Sequence, residues 1–368
     1  CTGALMAPDL DLTVMRRIHV VGVGGAGMSA IAEVLATMGH EVTGSDLKAS
    51  TGLERLRALG ITVRVGHDAA NVGDADLVTR STAIADNNVE CRAAQRRGIP
   101  LFSRAQVLGG ICLLRDTVAV AGTHGKTTTA SMLALVLREA GLRPSFIIGG
   151  DVNEIGTGAA WDDGQIFVVE ADESDGSFLD LERRVAVVTN VEPDHLEYHG
   201  DFEGLRTAFR RFVEETDGVT VVGIDDEGGR RLAEGSGVVT IGTAVGATWC
   251  IESVYEAWEG VSFDLVGPGG ECLPIQVPIP GLHNARNAAV AAVVGLVVAS
   301  PPEAVIDALA RFGGVARRFE HRGAAAGVEF VDDYAHLPTE VATTIRACRS
   351  GSWSRLVAVF QPHRYSRT

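Results

Sequence analysis

Two glycine-rich loops, each placed between an apolar strand and a helix, limit this chain to a small set of folds. The first loop, residues 22–27, follows an apolar strand predicted over 18–23, and the second, residues 122–128, follows one predicted over 117–121. Loops of this kind lead from strand to helix in βαβ units, whose strands are parallel. The sequence therefore predicts an α/β protein built on parallel sheets.

The alternation of apolar strands with alanine-rich helices divides the chain into units. An irregular extension covers 1–15, a first Rossmann-like unit covers 16–114, and a central unit covers 115–318. Inside the central unit, residues 241–280 change to short β-rich pieces with Gly and Pro turns, which predicts a small added β part. A third Rossmann-like unit begins at 319 and comprises 319–368. Because an independent domain usually needs about 100 residues, we expect this unit to be incomplete and the chain by itself to be almost inactive.

Local patterns predict the individual elements. Short apolar runs predict buried strands, and apolar residues at helical spacing predict helices. Predicted strands cover residues 18–23, 41–45, 61–65, 77–79, 101–103, 117–121, 146–148, 166–170, 185–190, 219–224, 329–331 and 356–360. Predicted helices cover residues 27–38, 53–59, 127–140, 202–215, 284–299 and 339–349.

Composition argues against several classes of function. The 47 acidic residues exceed the 32 basic ones, and a net charge of −15 disfavours a general nucleic-acid-binding protein, because phosphate contacts need basic surface. The longest apolar run spans 12 residues, at 288–299, whereas a membrane helix needs about 18 or more. The six cysteines are scattered without a CxxC pair, which indicates free thiols and no zinc site. We therefore expect a soluble cytoplasmic protein that binds neither nucleic acid nor membrane.

The first loop has the spacing of a diphosphate-binding turn. It fits G-x-G-x-x-G through Gly22, Gly24 and Gly27, and Asp46 lies 19 residues after Gly27 at the end of the next predicted strand. Such glycines let the backbone approach a diphosphate, and the following helix N-terminus adds N–H donors and partial positive charge. Asp46 would then accept a ribose hydroxyl. The spacing does not distinguish NAD from another diphosphate such as a UDP-sugar, and a plain tight turn is the alternative.

The second loop has the sequence of an ATP-binding loop. It reads Gly-Thr-His-Gly-Lys-Thr-Thr, so that Lys126 would reach the terminal phosphates and the hydroxyl of Thr127 would bind Mg²⁺. The strict P-loop pattern has a further glycine where this chain has Val120, so the loop is short. An NAD-dependent dehydrogenase would leave this second loop unexplained. One loop for a nucleotide-linked substrate and one for ATP together indicate a ligase or a transferase.

Polar residues follow the predicted strands of the central unit. The acidic run from Glu170 to Asp175 follows one strand, and His195 follows the next. Strand ends of parallel sheets face the ligand crevice, and carboxylates there commonly hold Mg²⁺ near phosphates. The alternatives are a solvated acidic turn and a structural histidine. Asn284 and Asn287 lie one helical turn apart, which suits contact with an adenine edge or, alternatively, helix capping.

The ordered set of motifs resembles the Mur ligase family. The resemblance extends from residue 18 to the last residue. It rests on GVGGAGMSAIAEVL (22–35), GSD (44–46), AGTHGKTTTASML (121–133), EADESDGSF (170–178), NVEPDHLEYHGDF (190–202), GLHNARNAAVA (281–291), GVARRFE (314–320), DDYAHLPTE (332–340) and FQPHRYSRT (360–368).

The resemblance implies a fold and a reaction. The implied fold has a Rossmann-like UDP-binding domain, a central P-loop ATPase domain and a Rossmann-like C-terminal domain. Within the family, the motifs are most similar to those of members that join L-alanine to the lactyl carboxylate of UDP-N-acetylmuramate. The implied reaction converts ATP to ADP and phosphate through an acyl phosphate, uses two Mg²⁺ ions, and is the first peptide step of peptidoglycan precursor synthesis. The implied partners are UDP-N-acetylmuramate, L-alanine and ATP, and the implied protein is a monomer or homodimer.

The resemblance also implies roles for individual residues. The implied UDP-substrate-binding residues are Gly22, Gly24, Gly25, Gly27, Asp46, Ser81 and Ser103. The implied ATP-binding residues are Gly122, Thr123, His124, Gly125, Lys126, Thr127, Thr128, His283, Asn284, Asn287, Arg318 and Asp333. The implied metal ligands are Thr127 and Glu170 for one ion and His195 for a second. The residues implied to bind the amino acid are Tyr334, His336, Arg364 and Arg367. The implied catalytic residues are Lys126, Glu170, His195, His336, Arg364 and Arg367.

Two residues depart from the family pattern, and two alternatives stay open. Leu337 stands where the family usually has a second histidine, and Ala335 stands where glycine is common. A recycling ligase that attaches a tripeptide to the same UDP-sugar shares the AGTHGKTTTA loop, although its glycine loop and acidic run differ. A non-catalytic sensor of UDP-sugar and ATP is the remaining alternative.

Overall fold

A five-stranded parallel sheet forms the N-terminal part of the protein, whose computed structural model describes residues 10–362. Its strands are β1 (Arg17–Val21), β2 (Glu41–Asp46), β3 (Thr62–Val65), β4 (Leu77–Arg80) and β5 (Leu101–Ser103). Their order in the sheet is β3-β2-β1-β4-β5, and all neighbours are parallel. The winding reverses between β1 and β4. In sheets of this kind, ligands bind in the crevice beyond the strand ends at such a reversal.

Four helices pack against this sheet. They are α1 (Ala26–Thr37), α2 (Thr51–Ala58), α3 (Val89–Arg96) and α4 (Arg104–Cys112). Helix α1 follows the first glycine loop and buries Met28, Ile31 and Leu35 against the strands. The helices predicted over 27–38 and 53–59 are confirmed to within two residues. Helices α3 and α4 were not predicted, because each is only 8 or 9 residues long, shorter than the runs from which a helical pattern is usually read.

A ten-stranded sheet forms the centre of the molecule. Its strands are β6 (Asp116–Ala121), β7 (Ser145–Val152), β8 (Thr157–Ala160), β9 (Ile166–Glu170), β10 (Val185–Val188), β11 (Val219–Gly223), β12 (Val239–Gly242), β13 (Trp249–Ala257), β14 (Gly260–Val266) and β15 (Cys272–Val277). The order is β15-β14-β13-β12-β11-β10-β6-β9-β7-β8, with parallel pairing from β7 to β13 and antiparallel pairing at both edges. The β part predicted over 241–280 therefore extends the main sheet.

Helices cover both faces of this central sheet. They are α5 (Lys126–Glu139), α6 (Leu196–His199), α7 (Phe202–Glu214), α8 (Glu227–Ala233), α9 (Leu282–Val297) and α10 (Pro302–Ala310). On one face, α5, α9 and α10 enclose a core with Val118 and Val120 of β6. On the other face, Phe209 and Phe212 of α7 join a core that continues into the N-terminal sheet. The central strand β6 is thus buried on both faces, as its unbroken apolar sequence predicts.

A small third unit follows the central domain. It consists of the antiparallel strands β16 (Glu320–Ala325) and β17 (Val328–Asp332) and the helix α11 (Pro338–Cys348). The strand predicted over 356–360 is wrong: among residues 10–362 it pairs with no other strand, and Val359 is 95% exposed. An apolar run forms a strand only where a neighbouring strand meets its backbone hydrogen bonds. No helix between residues 10 and 362 is long and apolar enough to cross a membrane.

Candidate functional site

The second glycine loop adopts a conformation that only glycine tolerates at two positions. Gly122 has φ +124° and Gly125 has φ +81°. A Cβ on Gly122 would lie 2.1 Å from Thr189 Oγ1, and one on Gly125 would lie 2.4 Å from Asn287 Oδ1. Any side chain at these positions would collide with the end of β10 or with α9. The loop therefore leads directly into the N-terminus of α5, where an anion is favoured.

Residues at the end of β10 hold this loop in place. The amide of Thr123 donates to the carbonyl of Asn190 at 3.1 Å, and the amide of His124 donates to Asn190 Oδ1 at 2.8 Å. The hydroxyl of Thr189 donates to the carbonyl of His124 at 2.6 Å, and the amide of Glu192 donates to Thr123 Oγ1 at 2.9 Å. The shape of the loop is therefore set by the protein itself.

Lys126 forms a buried ion pair with Glu173. Its Nζ lies 2.8 Å from Glu173 Oε2 and donates to the carbonyl of Gly122 at 2.7 Å. Burial disfavours the charge of Lys126, but the carboxylates of Glu173, Asp172 and Glu170 outweigh burial and raise its pKa. Burial raises the pKa of Glu173, and Lys126 opposes that shift. Lys126 therefore carries its positive charge at neutral pH.

Thr127 and Glu170 lie side by side, as a magnesium site at the loop requires. Thr127 Oγ1 donates to Glu170 Oε1 at 3.0 Å, and the amide of Gly149 donates to Glu170 Oε2 at 2.8 Å. A hydroxyl and a carboxylate are the oxygen ligands that Mg²⁺ prefers. The chemistry of these donors therefore fits the predicted ion.

A second group of ligand atoms involves His195. Atoms of His195, Asp172 and Glu173 all lie within 4.8 Å of one another. His195 has a left-handed backbone with φ +53°, and its Nε2 lies 3.3 Å from Asp194 Oδ2. Asp172 and Glu173 are therefore further candidate ligands beside His195, whose role as a ligand stays a prediction. The acidic run of the sequence was the signal that pointed to them.

A cleft of about 240 Å³ lies between the P-loop, α9 and α11. Polar side chains of these elements border it together with Ile241 and Ile251 of the central sheet. Nine of the twelve predicted ATP-binding residues border the cleft, namely His124, Gly125, Thr127, Thr128, His283, Asn284, Asn287, Arg318 and Asp333. The remaining three, Gly122, Thr123 and Lys126, belong to the loop but do not line the cleft.

Asn284, one of the predicted adenine contacts, also holds the start of α9, and the neighbouring His283 has a buried ring nitrogen. Asn284 Nδ2 donates to the carbonyl of Pro280 at 2.8 Å, so part of this amide is used to hold the helix. Within residues 10–362, His283 Nδ1 is buried without a hydrogen-bond partner. Burial, with Arg286 and Arg346 nearby, lowers the pKa of His283 to about 4. His283 is therefore neutral at physiological pH.

His124 connects the P-loop to the third unit. Its Nδ1 lies 3.1 Å from Glu340 Oε1, its Nε2 lies 3.4 Å from Glu192 Oε2, and Thr339 Oγ1 donates to Glu192 Oε2 at 2.9 Å. Burial disfavours charge on His124, but the two carboxylates outweigh it and raise its pKa to about 9. Glu340 has its pKa lowered to about 2, because these hydrogen bonds and the charge of His124 outweigh burial. Glu192, Thr339 and Glu340 were not predicted as site residues, although they lie in the quoted motifs.

The hinge, residues 313–319, joins the central domain to the third unit. The carboxylate of Asp333 accepts from the amide of Phe319 at 2.8 Å and from the amide of Ala335 at 2.6 Å. The guanidinium of Arg318 lies 5.3 Å from the ring centre of Tyr334. Asp333 and Arg318 thus border the cleft and also fix the path of the chain at the hinge.

The predicted amino-acid-binding residues are described only in part. His336 Nδ1 lies 3.0 Å from the carbonyl of Tyr334 and 3.4 Å from Glu340 Oε2. Tyr334 is 37% exposed. Arg364 and Arg367 lie outside the described residues, and their roles stay predictions.

The first glycine loop is held by Asp46. The amide of Gly24 donates to Asp46 Oδ2 at 2.9 Å, and a Cβ on Gly24 would lie 2.8 Å from the same oxygen. Gly22 has φ +80°, Gly25 caps α1, and Gly27 lies in the first turn of that helix. Asp46 therefore stabilises the loop, and one of its oxygens is already engaged there.

Of the two predicted serines, Ser81 lies beside this loop, and Ser103 begins the neighbouring element α4 as its cap. The Cβ of Ser81 lies 3.0 Å from the position that a Cβ on Gly22 would take. Ser103 caps α4, since its Oγ accepts from the amide of Gln106 at 3.1 Å and its own amide donates to Gln106 Oε1 at 2.8 Å. The hydroxyl proton of Ser103 is not used in this cap.

Arg104 is a candidate that the sequence reasoning missed. It begins α4, and its Nη1 lies 3.3 Å from the position that a Cβ on Gly27 would take. A guanidinium is well suited to a diphosphate, because it is always charged and offers paired donors. Its position directly after Ser103 was the available signal.

One phosphate-type loop lies on the parallel N-terminal sheet, and another lies on the parallel part of the central sheet, beside a lysine, a threonine and a carboxylate. Together they define a P-loop nucleotide-binding protein with a second, diphosphate-type domain. Residues 17–115 match the Mur ligase family catalytic domain, residues 120–295 match the Mur ligase middle domain, and residues 317–367 match the Mur ligase glutamate ligase domain. The chain belongs to the Mur ligase family.

Individual relatives agree with this assignment. The chain is 45% identical over 373 residues to the UDP-N-acetylmuramate–L-alanine ligase of Thermobifida fusca, covering 98% of this chain and 79% of that protein. The solved UDP-N-acetylmuramate-alanine ligase of Thermotoga maritima has a TM-score of 0.82 at 30% identity, covering 91% of this chain and 78% of that one. The UDP-N-acetylmuramate:L-alanyl-gamma-D-glutamyl-meso-diaminopimelate ligase of Neisseria meningitides has a TM-score of 0.72 at 30% identity, and the match covers 81% of this chain and 98% of that one. These comparisons confirm the predicted three-domain α/β architecture.

Proposed function

We propose that this protein joins L-alanine to the carboxylate of UDP-N-acetylmuramate at the expense of ATP, in peptidoglycan precursor synthesis. The observation that carries the proposal is the grouping of Lys126, Thr127 and Glu170 at the end of the central sheet, in a chain with a second diphosphate-type loop. The 45% identity to a ligase named for L-alanine supports the choice of acceptor. We place the reaction in the cytoplasm, which suits the free thiols of the described cysteines.

The chemistry requires two transfers. An oxygen of the muramyl carboxylate attacks the γ-phosphorus of ATP, the bond to the β-γ bridging oxygen breaks, and ADP leaves. The amine of L-alanine then attacks the acyl carbon, the amide bond forms, phosphate leaves, and the amine loses a proton. Lys126 holds positive charge where negative charge moves during the first transfer, and the loop amides hold the phosphates.

Magnesium fits the donor set at the loop. Bound Mg²⁺ would offset charge on the β- and γ-phosphates. Thr127 and Glu170 would hold one ion, and His195 with Asp172 and Glu173 would hold a second. The support is the hydrogen bond between Thr127 and Glu170 at 3.0 Å and the grouping of the other three ligand atoms within 4.8 Å of one another.

The two substrates of the second transfer would bind on either side of the ATP cleft. The UDP-sugar would place its diphosphate at Gly22, Gly25 and Gly27, with Arg104 pairing with a phosphate and the free hydroxyl proton of Ser103 donating to it. The amino acid would lie at the third unit, near Tyr334 and His336, with Arg364 and Arg367 as proposed contacts for the carboxylates. Closure of the hinge would align the groups and exclude water.

The tripeptide-joining ligase is the second candidate, because the Neisseria protein shares the fold at 30% identity. The deciding experiment follows ADP release with ATP, Mg²⁺ and UDP-N-acetylmuramate, using protein expressed to the stop codon of its reading frame. L-alanine, the tripeptide L-alanyl-γ-D-glutamyl-meso-diaminopimelate and no acceptor are compared. We expect release only with L-alanine. Release only with the tripeptide would assign the recycling reaction, and release with neither would support a non-catalytic sensor.

A further inference from the structure

The end of β7 contacts the metal site and the hinge within a few residues. We call residues 149–153 the β7 terminus. At its start, the amide of Gly149 donates to the proposed metal ligand Glu170 at 2.8 Å. At its next residue, a Cβ on Gly150 would lie 2.7 Å from Val315 Cγ1 and 3.6 Å from Thr127 Cγ2. Glycine is required here, because the strand passes between the P-loop and the hinge.

The second half of the β7 terminus is hydrogen-bonded to the hinge. Val152 forms an antiparallel bridge with Val315. Asn153 donates through its side chain to the carbonyl of Gly313 at 2.8 Å and through its amide to that of Gly314 at 3.3 Å. Any movement of the β7 terminus therefore moves the hinge as well.

Between these contacts, Asp151 points to the N-terminal domain. Its carboxylate pairs with Arg55 of α2, with Nη1 at 3.2 Å from Oδ1 and 3.3 Å from Oδ2. Arg55 also donates to Thr157 Oγ1 and lies 3.4 Å from Glu33 Oε2. Burial raises the pKa of Glu33, and Arg55 opposes this shift.

Glu33 lies on α1, the helix that begins at the diphosphate loop. Arg55 thus connects the helix at the UDP-sugar loop, through Asp151, to the carboxylate at the ATP loop and to the hinge. A connection of this kind transmits binding energy only if both ligands favour the same arrangement of the domains.

Resting on the proposed function, we propose that Arg55 is a positioning residue for phosphoryl transfer. Through Asp151 it fixes the β7 terminus, and with it Glu170 and the hinge, in the arrangement that UDP-sugar binding favours. The consequence is thermodynamic coupling: UDP-N-acetylmuramate tightens nucleotide binding, and nucleotide tightens UDP-sugar binding by the same factor.

The test measures this coupling by calorimetry. A non-hydrolysable ATP analogue with Mg²⁺ is titrated into protein with and without saturating UDP-N-acetylmuramate. In the parent protein we expect the sugar to tighten analogue binding by about tenfold, within the usual range of such couplings. Arg55→Met should reduce the factor to within twofold of one, while each ligand alone binds as in the parent. Arg57→Met is the matched control, because Arg57 lies on the same helix and pairs with Glu54 at 2.7 Å; it should keep the parental factor.

A second variant separates coupling from folding. Asp151→Asn removes the negative charge that Arg55 faces on the β7 terminus, and we expect the same loss of coupling. Because Arg55→Met alone already brings the coupling factor near one, the double variant should show no further loss. Parental coupling in either folded single variant would overturn the role of Arg55, as would a coupling factor near one in the parent. Failure of the parent to bind UDP-N-acetylmuramate at all would defeat the proposed function and the role of Arg55 together, so the two failures are distinguishable.

Discussion

At the scale of single residues, substitution of Lys126, the partner of Glu173, should affect both catalysis and stability, and the two effects can be measured separately. Only 1% of the Glu173 side chain is exposed, so losing its partner leaves a buried carboxylate unpaired. We expect Lys126→Met to lower the free energy of unfolding by about 3–5 kcal/mol. The same change should lower kcat by roughly 100- to 1000-fold, as is typical when one charge-stabilising donor is removed. Chemical denaturation and ADP release measure the two quantities.

The control for Lys126 is the double variant Lys126→Met with Glu173→Gln. The neutral amide removes the unpaired charge, so most of the lost stability should return, whereas turnover should stay low because both Lys126 and the proposed metal ligand Glu173 are altered. Recovery of turnover together with stability would show that Lys126 only supports the fold.

His124 gives the third unit a dependence on pH whose direction follows from its charge. The pKa of His124 is raised from 6.5 to about 9 in the folded protein. A group whose pKa is raised on folding stabilises the folded state fully at pH values below its unfolded pKa. This stabilisation is lost as the pH rises through its folded pKa. The bridge should therefore contribute most of its stabilisation at pH 6.5 and little above pH 9. Thermal melts of the parent and of His124→Asn should differ at pH 6.5 and converge at high pH. A constant difference across this range would contradict the charged bridge.

At the scale of elements, the capping of α4 can be separated from the proposed binding role of Ser103. Ser103→Ala removes the side-chain cap and should cost about 1 kcal/mol of stability. Ser103→Asn keeps a good capping residue, so stability should stay near that of the parent. Because asparagine lacks the hydroxyl, both variants should bind UDP-N-acetylmuramate about fivefold more weakly in calorimetry. Parental affinity in Ser103→Asn would limit Ser103 to capping.

The elements that the sequence predicted well are those with strong local signals. The buried strands 117–121 and 166–170 and the helix 127–140 form where predicted, because unbroken apolar runs and a glycine loop specify them locally. The strand over 356–360 failed, because pairing depends on a neighbour that an apolar run does not specify. Helix α3 escaped prediction because its 8 residues are too few for a helical pattern to be read with certainty from the sequence.

The site shows the same division between local and distant information. Lys126 and Thr127 follow from one loop motif, and Glu170 follows from its place at a strand end. By contrast, His124 and its partner Glu340 are 216 residues apart in the sequence, and Arg55 and its partner Asp151 are 96 residues apart. No local sequence pattern connects residues at such distances. Arg104 lies at a helix start that the apolar pattern did not reveal.

At the scale of the whole molecule, the central domain and the third unit meet at the P-loop, and the hinge decides how the third unit sits. Asp333 holds the hinge by accepting from the amides of Phe319 and Ala335. Asp333→Ala removes both hydrogen bonds, which together contribute about 2 kcal/mol. The fraction of molecules in which the third unit has separated from the central domain should therefore rise roughly thirtyfold. Trypsin should therefore cut the hinge region of this variant faster than that of the parent. The sites to follow are Arg311, Arg317, Arg318 and Arg322.

The neighbouring Asp332 supplies the matched control, because its side chain is exposed and it borders no part of the cleft. Asp332→Ala should be cut at the parental rate. A non-hydrolysable ATP analogue with Mg²⁺ should protect the parent strongly and Asp333→Ala weakly, since the cleft is bordered by both sides of the hinge. Equal protection of the two proteins would mean that nucleotide binds without the third unit, and the ATP site would then belong to the central domain alone.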